Sequence, residues 1–586
     1  MEVIPKTAFC VCALIAAAVP VGAIAPAGCD GTPAYSPCEL YFDLPAGKAD
    51  PWATANLDIE FRGPNYHTYL MPAYWDGQRL VVRFAPTQPG KWIYRISGNL
   101  AAYDGKQGSF NAVQSDSPGF LIPANTHHWA TFNEQVVIDP RKPHLWISDV
   151  ADRLPFASDA EFETTLHNAI QNKFTHLRID VLGAAADSAH VFPQGRPDPN
   201  FFDQLDRRLL EVNKRGIVTD MVLAANPDII RHTFPDWQSR ARFIRYLVAR
   251  YSALNMTWEG VLEWEDYTGA RALLKELGED IKKTDPYGHP RSTNARITAS
   301  PLMSDGWMNF IITRNTQPGD EQIGSVEHQL YAVPFVALTT ADRLWSSTVS
   351  GEYPMFEGGQ TFEAKHWYEL ISDTRHWEME PYFDVDGGGA IALRGIECIL
   401  YVDKPGPPVE VLIDKHKYDV SWFNPLSGES IPVKDFKGEH FTGTPPDTSH
   451  PWLLDIARES HKESMLHSVR FQSVDVILQE IDQTGTKTPY EIVRPTEDTL
   501  PMNVPVPYEA KIKKQTRGTR TMMYVWTGEV AGGTEGFRVL GTGDHGSFTV
   551  PKVFAGHPGG TLDVRVTAIN ANGKAYVLDK LYTLGQ

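Results

Sequence analysis

The sequence predicts a multidomain protein with a central (β/α)8 TIM barrel, flanked by an N-terminal Ig-like β-sandwich and by C-terminal β-sandwich domains. The chain has 586 residues, which is enough for three to five domains at roughly 100 to 200 residues each. Near both ends of the chain, hydrophobic residues alternate with a period of two. In the middle, strand-like runs alternate with segments of helical period, a pattern typical of a βα barrel.

Residues 1–25 have the pattern of an export signal. Lys6 precedes an apolar run that begins at Ala8, and Ala23 and Ala25 are small residues of the kind that a signal peptidase accepts. We expect cleavage after Ala25 or after Ala23, and therefore a secreted or periplasmic protein.

The remaining cysteines and two adjacent histidines have structural interpretations. Cys29 and Cys38 are close enough in sequence to pair in an oxidising compartment, and Cys398 lies in a strand-like run where we expect it to be buried. His127 and His128 separate the first sandwich from the barrel, so we expect them to form hydrogen bonds at a domain interface. The sequence contains no CxxC pair and no HExxH motif, and it predicts no metal site and no cofactor.

Four regions follow the export signal. We place an Ig-like β-sandwich at 30–118, the barrel at 119–386, a β-sandwich at 387–458, and a C-terminal β-rich domain with a linker at 459–586. The first region alternates apolar and polar residues between Gly and Pro turns, and the last two show the same alternation with no helical period.

The barrel region contains seven countable βα steps, although the eighth strand has no clear pattern. Its length of about 240 residues is close to that of a (β/α)8 barrel. The strand-like runs, in order, are HLWISDV, THLRIDVL, GIVTDMVLA, TWEGVLEW, PRSTNARI, MNFIIT and SSTVSGE.

Charge and hydropathy exclude two classes of partner. The net charge is 54 − 72 = −18, which repels nucleic-acid phosphates and anionic lipid surfaces. After the N-terminal segment, no apolar stretch reaches the roughly 18 residues that a membrane-spanning helix needs. We therefore expect neither a nucleic-acid partner nor a membrane span.

Acidic residues follow several strand-like runs of the barrel, where the catalytic groups of such barrels lie. Glycoside hydrolysis needs two carboxylates at one bond, one as an acid and one as a nucleophile or base. Glu263 follows the fourth run and Glu352 ends the seventh, 352 − 263 = 89 residues later, which would place them across the barrel mouth. Glu265 and Glu357 are alternatives for the two positions.

Other residues near the strand ends are candidates for binding an oligo- or polysaccharide substrate. Aromatic rings can stack on sugars, although a tryptophan in a barrel is more often a core residue. Arg178 and Asp180 lie on one face of the second strand and are alternatively a structural ion pair. The predicted substrate-binding residues are Asp149, Arg178, Asp180, Trp258, Trp264, Tyr267 and His328.

Part of the chain resembles a known group of proteins. The segment PAYWDGQRLVVRFAPTQPGKWIYR is similar to the N-terminal β-sandwich of secreted bacterial glycoside hydrolases. The barrel resembles the apiosidase-like glycoside hydrolases, and DVSWFNPLSGE resembles the β-domain that is often called a collagen-binding domain in this group. The resemblance covers roughly residues 35–457. It implies a glycosidase that acts on a plant or microbial polysaccharide.

The resemblance also implies roles for two carboxylates. The family carries an acidic residue five positions after a Trp at strand four, and here Glu263 follows Trp258 at that spacing. At strand seven it carries a Glu followed by an aromatic-Glu-Gly run, which Glu352 and the FEG run from Phe356 match. The match implies that Glu263 is the acid/base and Glu352 the nucleophile of a retaining mechanism.

A second function class is kept as an alternative. Barrel glycosidases of the broader clan carry an Asn just before the acid/base, and Leu262 occupies that position here. The alternative is a non-catalytic carbohydrate-binding or cell-surface protein built on a degenerate glycosidase barrel. Because the flanking regions have no clustered acid/base residues, we expect the barrel to fold and act on short substrates without residues 468–586.

Overall fold

The computed structural model describes residues 28–45, 50–124, 126–357, 362–458, 488–516, 522–571 and 573–585. The predicted export signal and most of the predicted linker lie outside these ranges. None of the described helices is both long and apolar enough to cross a lipid bilayer.

The N-terminal region consists of two antiparallel sheets around one hydrophobic core, with strand orders β1-β5-β4 and β3-β2-β6-β7. Phe61 and Phe84 stack in this core with ring centroids 4.0 Å apart. The predicted pairing of Cys29 with Cys38 is confirmed, since a disulfide joins them. The elements are β1 (Cys38–Phe42), α1 (Pro51–Thr54), β2 (Leu57–Arg62), β3 (Thr68–Pro72), β4 (Tyr74–Trp75), β5 (Leu80–Phe84), β6 (Gly90–Gly98) and β7 (Gln107–Ala112).

A small antiparallel sheet precedes the barrel and covers its amino-terminal end. It consists of β8 (Phe120–Ala124), β9 (His128–Phe132) and β10 (Arg141–Pro143). Trp129 of β9 packs against Trp146 and Phe310, with ring centroids 4.7 and 5.3 Å apart. Trp146 and Phe310 lie just before two barrel strands that begin at Ser148 and Ile311. The small sheet therefore lies at the amino-terminal end of the barrel, opposite the end where the catalytic groups of such barrels are found.

Eight parallel strands form the barrel. Their order in the sheet is β15-β14-β13-β12-β11-β18-β17-β16. The barrel is nearly closed, because the N–H of Asn309 donates to the carbonyl of Arg291 at 3.0 Å across the remaining gap. The strands are β11 (Ser148–Val150), β12 (His176–Asp180), β13 (Val218–Ala224), β14 (Met256–Val261), β15 (Arg291–Ser292), β16 (Ile311–Asn315), β17 (Phe335–Thr339) and β18 (Tyr353–Phe356).

Helices alternate with these strands and bury their apolar faces against the sheet. The helix after β11 begins at a capping box, in which Ser158 and Glu161 satisfy each other's backbone N–H groups. The helices are α2 (Asp159–Gln171), α3 (Ala185–Val191), α4 (Pro199–Lys214), α5 (Pro227–Thr233), α6 (Trp237–Tyr251), α7 (Ala270–Thr284), α8 (Glu321–His328), α9 (Leu344–Val349) and α10 (Phe362–Ser372).

The predicted seventh strand is wrong. The run SSTVSGE forms the end of α9 and the turn after it, and the seventh strand is β17, which arises from the apolar run PFVAL. Packing explains the difference: every residue of α9 is buried, so tertiary contacts override the strand propensity of the run. Thr348 and Ser350 donate their hydroxyls to the carbonyls four residues earlier, at 2.9 Å each. The segment after Glu352 forms the eighth strand, which the sequence did not reveal.

Two β-rich regions follow the barrel. The first is an eight-stranded, antiparallel sheet, in which Cys398 is buried as expected. Its strands are β19 (Glu380–Tyr382), β20 (Val385–Asp386), β21 (Gly389–Leu393), β22 (Glu397–Val402), β23 (Val409–Phe423), β24 (Ser430–Pro432), β25 (Phe436–Gly443) and β26 (Trp452–Arg458). The Ig-like topology of the flanking regions stays a prediction.

The second β-rich region contains a three-stranded sheet, β27-β29-β32, and a five-stranded sheet, β28-β34-β33-β30-β31, around a separate core. Its strands are β27 (Tyr490–Arg494), β28 (Thr499–Leu500), β29 (Val506–Ile512), β30 (Met523–Val530), β31 (Arg538–Thr542), β32 (His545–Phe548), β33 (Thr561–Ile569) and β34 (Ala575–Leu584).

Candidate active site

Two carboxylates meet at the carboxyl ends of the barrel strands. Glu263 comes two residues after β14, and Glu357 directly follows β18. Both contact Arg314 of β16: Nη2 lies 3.7 Å from Glu263 Oε1, and Nη1 lies 3.5 Å from Glu357 Oε2. The three strands alternate around the barrel, so their inward side chains share a layer. The structure thus brings together Glu263 and Glu357 around an arginine that the sequence analysis did not single out.

The geometry of this group is compatible with two-carboxylate chemistry. The two contacts and the width of one guanidinium limit the distance between Glu263 Oε1 and Glu357 Oε2 to about 9.5 Å. This limit is the upper end of the range of separations at which two carboxylates cooperate in glycoside hydrolysis. The positive charge of Arg314 offsets the repulsion between the two carboxylates. The side chains of Glu263 and Glu357 are 45% and 48% exposed, so a ligand can reach both.

The backbone holds Glu263 in an uncommon conformation. Its φ is 45° and its ψ 46°, in the left-handed region, which costs a residue with a Cβ roughly 1 kcal/mol or more. The following residues fix this turn: Trp264 is fully buried, and the Glu265 carboxylate accepts the N–H groups of Arg296 and Ile297 at 2.9 and 3.0 Å. Glu265 therefore anchors the loop, and burial raises the pKa of its carboxyl.

Glu352 precedes β18, so its backbone lies at the amino-terminal end of that strand. The residue is 4% exposed, and its carboxyl group contacts Thr313 Oγ1 at 2.5 Å and Nδ2 of Asn315, the last residue of β16, at 3.4 Å. A Cβ added at Gly324 of α8 would lie 2.4 Å from this carboxyl group, so the group packs tightly against the helix. Burial raises the pKa of Glu352 to about 8. The predicted pair of Glu263 and Glu352 is not brought together.

A buried charged network fills the barrel interior. Arg178 reaches Met355 of β18, two strands away, at 3.4 Å and forms a two-point ion pair with Asp152 at 3.0 and 2.8 Å. Glu259 of β14 is fully buried, and neither of its carboxyl oxygens has a hydrogen-bond partner among the described residues. Burial raises the pKa of Glu259 to about 8. Arg178 is thus ion-paired with Asp152, and the predicted ion pair of Arg178 with Asp180 is not formed.

The remaining acidic candidates lie beside the strand ends. The Asp180 carboxylate accepts the N–H of Gly183 at 2.9 Å, and burial raises its pKa to about 7. Asp149 is 8% exposed, and burial raises its pKa to about 6. It lines a cavity of about 730 Å³ between the loop after β11 and helix α2. Neither residue contacts Glu263 or Glu357.

Of the aromatic candidates, Trp258 and Trp264 are buried and Tyr267 is partly buried. Trp258 is buried and its Nε1 donates to Asp285 at 3.1 Å, and Trp264 lies under the Arg538 guanidinium at 4.3 Å. Tyr267 is partly buried against the barrel core. His328 ends α8, at the amino-terminal end of the barrel, where its ring contacts His127 and Glu380.

The C-terminal β-rich region packs against the loop that carries Glu263. Arg538 is 4% exposed beneath this loop, and Glu535 Oε1 accepts the N–H of Gly269 at 2.9 Å. Nearby, Ile323 and Val326 of α8 share a hydrophobic cluster with three residues of this region, namely Val525, Ile569 and Ala575. These contacts argue against the expectation that the barrel is independent of residues 468–586.

Comparisons with known proteins agree with this architecture. Residues 31–99 match a family described as a domain of unknown function, DUF5060. No curated protein matches the chain. A candidate glycoside hydrolase from Bacteroides vulgatus ATCC 8482 is similar in structure, with 16% identity, a TM-score of 0.61, and coverage of 73% of this chain and 100% of its own.

A glycoside hydrolase family 5 protein from the same organism has 14% identity and a TM-score of 0.50, and the match covers 58% of this chain and 93% of its own. At these identities the likeness shows the fold alone: a nearly closed eight-stranded parallel barrel with additional β-sheet regions.

Proposed function

We propose that the protein is a glycoside hydrolase whose active site lies at the barrel mouth between Glu263, Arg314 and Glu357. The observation that supports this most is the contact of both carboxylates with one guanidinium, at 3.7 and 3.5 Å. The descriptions of the two similar Bacteroides vulgatus structures as glycoside hydrolases support the reaction class. The substrate we propose is an oligosaccharide of a plant or microbial polysaccharide, met outside the cytoplasm.

In the proposed mechanism, Glu263 is the general acid and Glu357 the nucleophile or base. Glu263 donates a proton to the glycosidic oxygen as the leaving group departs. Glu357 either attacks the anomeric carbon to form a glycosyl-enzyme, which a water deprotonated by Glu263 then hydrolyses with overall retention, or activates a water for a single displacement, which inverts configuration. Glu263 lies 3.7 Å from Arg314, too far for a hydrogen bond, so a bound sugar can come between them.

The test is a screen of the purified protein against oligosaccharides of differing linkage, with product analysis by chromatography and mass spectrometry. The proposal expects hydrolysis of at least one linkage by the wild type and not by the variant Glu357→Gln. Binding of oligosaccharides without hydrolysis would contradict the proposal and favour the non-catalytic alternative. Neither binding nor hydrolysis across the screen would contradict both.

A further inference from the structure

A second cluster of chemically active side chains lies at the amino-terminal end of the barrel, away from the proposed active site. It joins His127 and His128, where β9 begins, to His328 at the end of α8 and to Glu380 at the start of β19. Glu380 Oε2 lies 3.0 Å from His127 Nδ1 and 3.3 Å from His328 Nε2. Three separate segments of the chain therefore converge on one carboxylate.

The hydrogen bonds of His127 fix the arrangement of its ring. Nε2 lies 2.9 Å from the carbonyl oxygen of Tyr331, and because a carbonyl can only accept, Nε2 carries the hydrogen. In a neutral imidazole, Nδ1 then presents a lone pair. That lone pair faces a carboxylate oxygen of Glu380 at 3.0 Å, an unfavourable contact unless a cation lies between them.

His328 faces the same oxygen and limits what that cation can be. Its ring is stacked on that of His127 with centroids 3.7 Å apart, and both side chains are 1% exposed. Two protonated imidazoles stacked at this distance would repel each other in a buried site. The cation is therefore either one proton on His127 or one metal ion shared by both rings.

The distances between the ligand atoms suit a metal ion, and binding would turn the stacked rings of His127 and His328 apart so that both lone pairs point at the ion. One donor atom from each of His127, His328 and Glu380 lies within 4.8 Å of the other two. Zinc bonds of roughly 2.0–2.1 Å in a tetrahedron place ligand atoms roughly 3.3 Å apart, close to the 3.0 and 3.3 Å measured here. In addition, metal-bound histidines commonly donate their second N–H to a backbone carbonyl, as His127 does to Tyr331.

We propose that His127, His328 and Glu380 bind one zinc ion that ties the sheet before the barrel, helix α8 and the sheet after the barrel together. Two imidazoles and a carboxylate suit zinc, and three protein ligands leave one tetrahedral position for a further ligand. The ligands are separated by 201 and 52 residues in sequence (328 − 127 and 380 − 328), which is why no sequence motif reveals them.

The first test is metal analysis by inductively coupled plasma mass spectrometry. The full chain is purified with a tag free of histidine, dialysed against trace zinc, and compared with the variants His127→Gln, His328→Gln and Glu380→Gln. The control is His545→Gln, since His545 is exposed and lies outside the cluster. We expect about one zinc per chain in the wild type and the control, and a loss of most of it in the three variants.

A second measurement covers variants that fail to fold. The wild type is stripped with a chelator, its melting temperature is measured, and zinc chloride is added back. The proposal expects the melting temperature to fall on stripping and to recover with one equivalent of zinc. The proposal would be overturned if the wild type bound no zinc and its melting temperature changed neither on stripping nor on addition of zinc. That result would identify the cluster as an imidazolium–carboxylate pair. Equal zinc content in wild type and Glu380→Gln would also overturn it.

Discussion

Glu357 and Thr339 are joined by a backbone hydrogen bond, in which the N–H of Glu357 donates to the carbonyl of Thr339 at 3.0 Å. The bond extends the pairing of the last two barrel strands to their carboxyl ends and so places Glu357 at the mouth. The family resemblance implies a glutamate on strand seven, but the seventh strand of the structure ends in Thr339. Glu357, on the neighbouring strand, provides the carboxylate at this side of the mouth.

The first prediction separates Glu357 from Glu352. Glu357→Gln removes the charge at the mouth, so kcat should fall by about 10³-fold or more on any substrate that the wild type cleaves. Glu352→Gln replaces a buried carboxyl whose pKa burial raises to about 8 and which lies outside the Glu263–Arg314–Glu357 group, so its kcat should stay within a few-fold of the wild type. Initial rates of the two purified variants give these kcat values. A larger loss in Glu352→Gln than in Glu357→Gln would identify Glu352 as the nucleophile.

The second prediction concerns the proton donor. Glu263→Gln should lose about 10²- to 10⁴-fold in rate on substrates with poor leaving groups and much less on activated aryl glycosides, which depart without protonation. If the enzyme retains configuration, azide should restore turnover of the aryl glycoside and give a glycosyl azide. Asp266→Asn is the matched control, because Asp266 is an exposed carboxylate of the same loop paired with Arg296. Equal losses on both substrate types would argue against Glu263 as the acid.

The sequence predicts much of the fold but less of the site, and particular residues show why. Alternating βα patterns locate the first six barrel strands, since those strands are long or flanked by clear helices. The seventh strand was misplaced because the buried packing of α9 overrides the strand propensity of residues such as Thr348 and Val349. The contacts of Arg314 with Glu263 and Glu357 could not be predicted from the sequence, because they depend on how three alternate barrel strands come together at the mouth.

The third prediction tests Arg314. Arginine contacts the two carboxylates through separate nitrogens, whereas lysine offers a single point charge. Arg314→Met should therefore lower kcat/KM by about 10²-fold, and Arg314→Lys should fall between it and the wild type. Arg296→Met is the control, since Arg296 contacts the exposed Asp266. If Arg314→Met kept the wild-type kcat/KM, Arg314 would not be part of the active site.

The fourth prediction concerns the C-terminal region. Arg538→Ala removes the cation over Trp264 and leaves a cavity beneath the Glu263 loop, so the unfolding free energy should fall by about 1–3 kcal/mol and kcat should fall as well. Arg565→Ala, an exposed change in the same region, should leave both unchanged. Chemical denaturation and initial rates measure the two effects. Full activity and stability in Arg538→Ala would support the independence of the barrel that the sequence suggests.

The fifth prediction is a pH dependence set by Glu259. Burial raises its pKa from 4.5 unfolded to about 8 folded, so its contribution to stability is present below pH 4.5 and is lost as the pH rises to about 8. Glu259→Gln should therefore gain at least about 1 kcal/mol over the wild type at pH 8 and little at pH 4.5. Glu279→Gln, on an exposed face of α7, should show no such difference. Urea titrations at the two pH values would contradict this account if the Glu259→Gln gain were the same at both.

The most direct test of the account measures the double variant Glu263→Gln with Glu357→Gln on the best oligosaccharide substrate found. Turnover is measured by product release, and affinity by calorimetry. We expect the double variant to bind the oligosaccharide within a few-fold of the wild-type affinity but to cleave it at least about 10³-fold more slowly. Cleavage by the double variant within about tenfold of the wild-type rate would contradict the assignment of the active site to this pair.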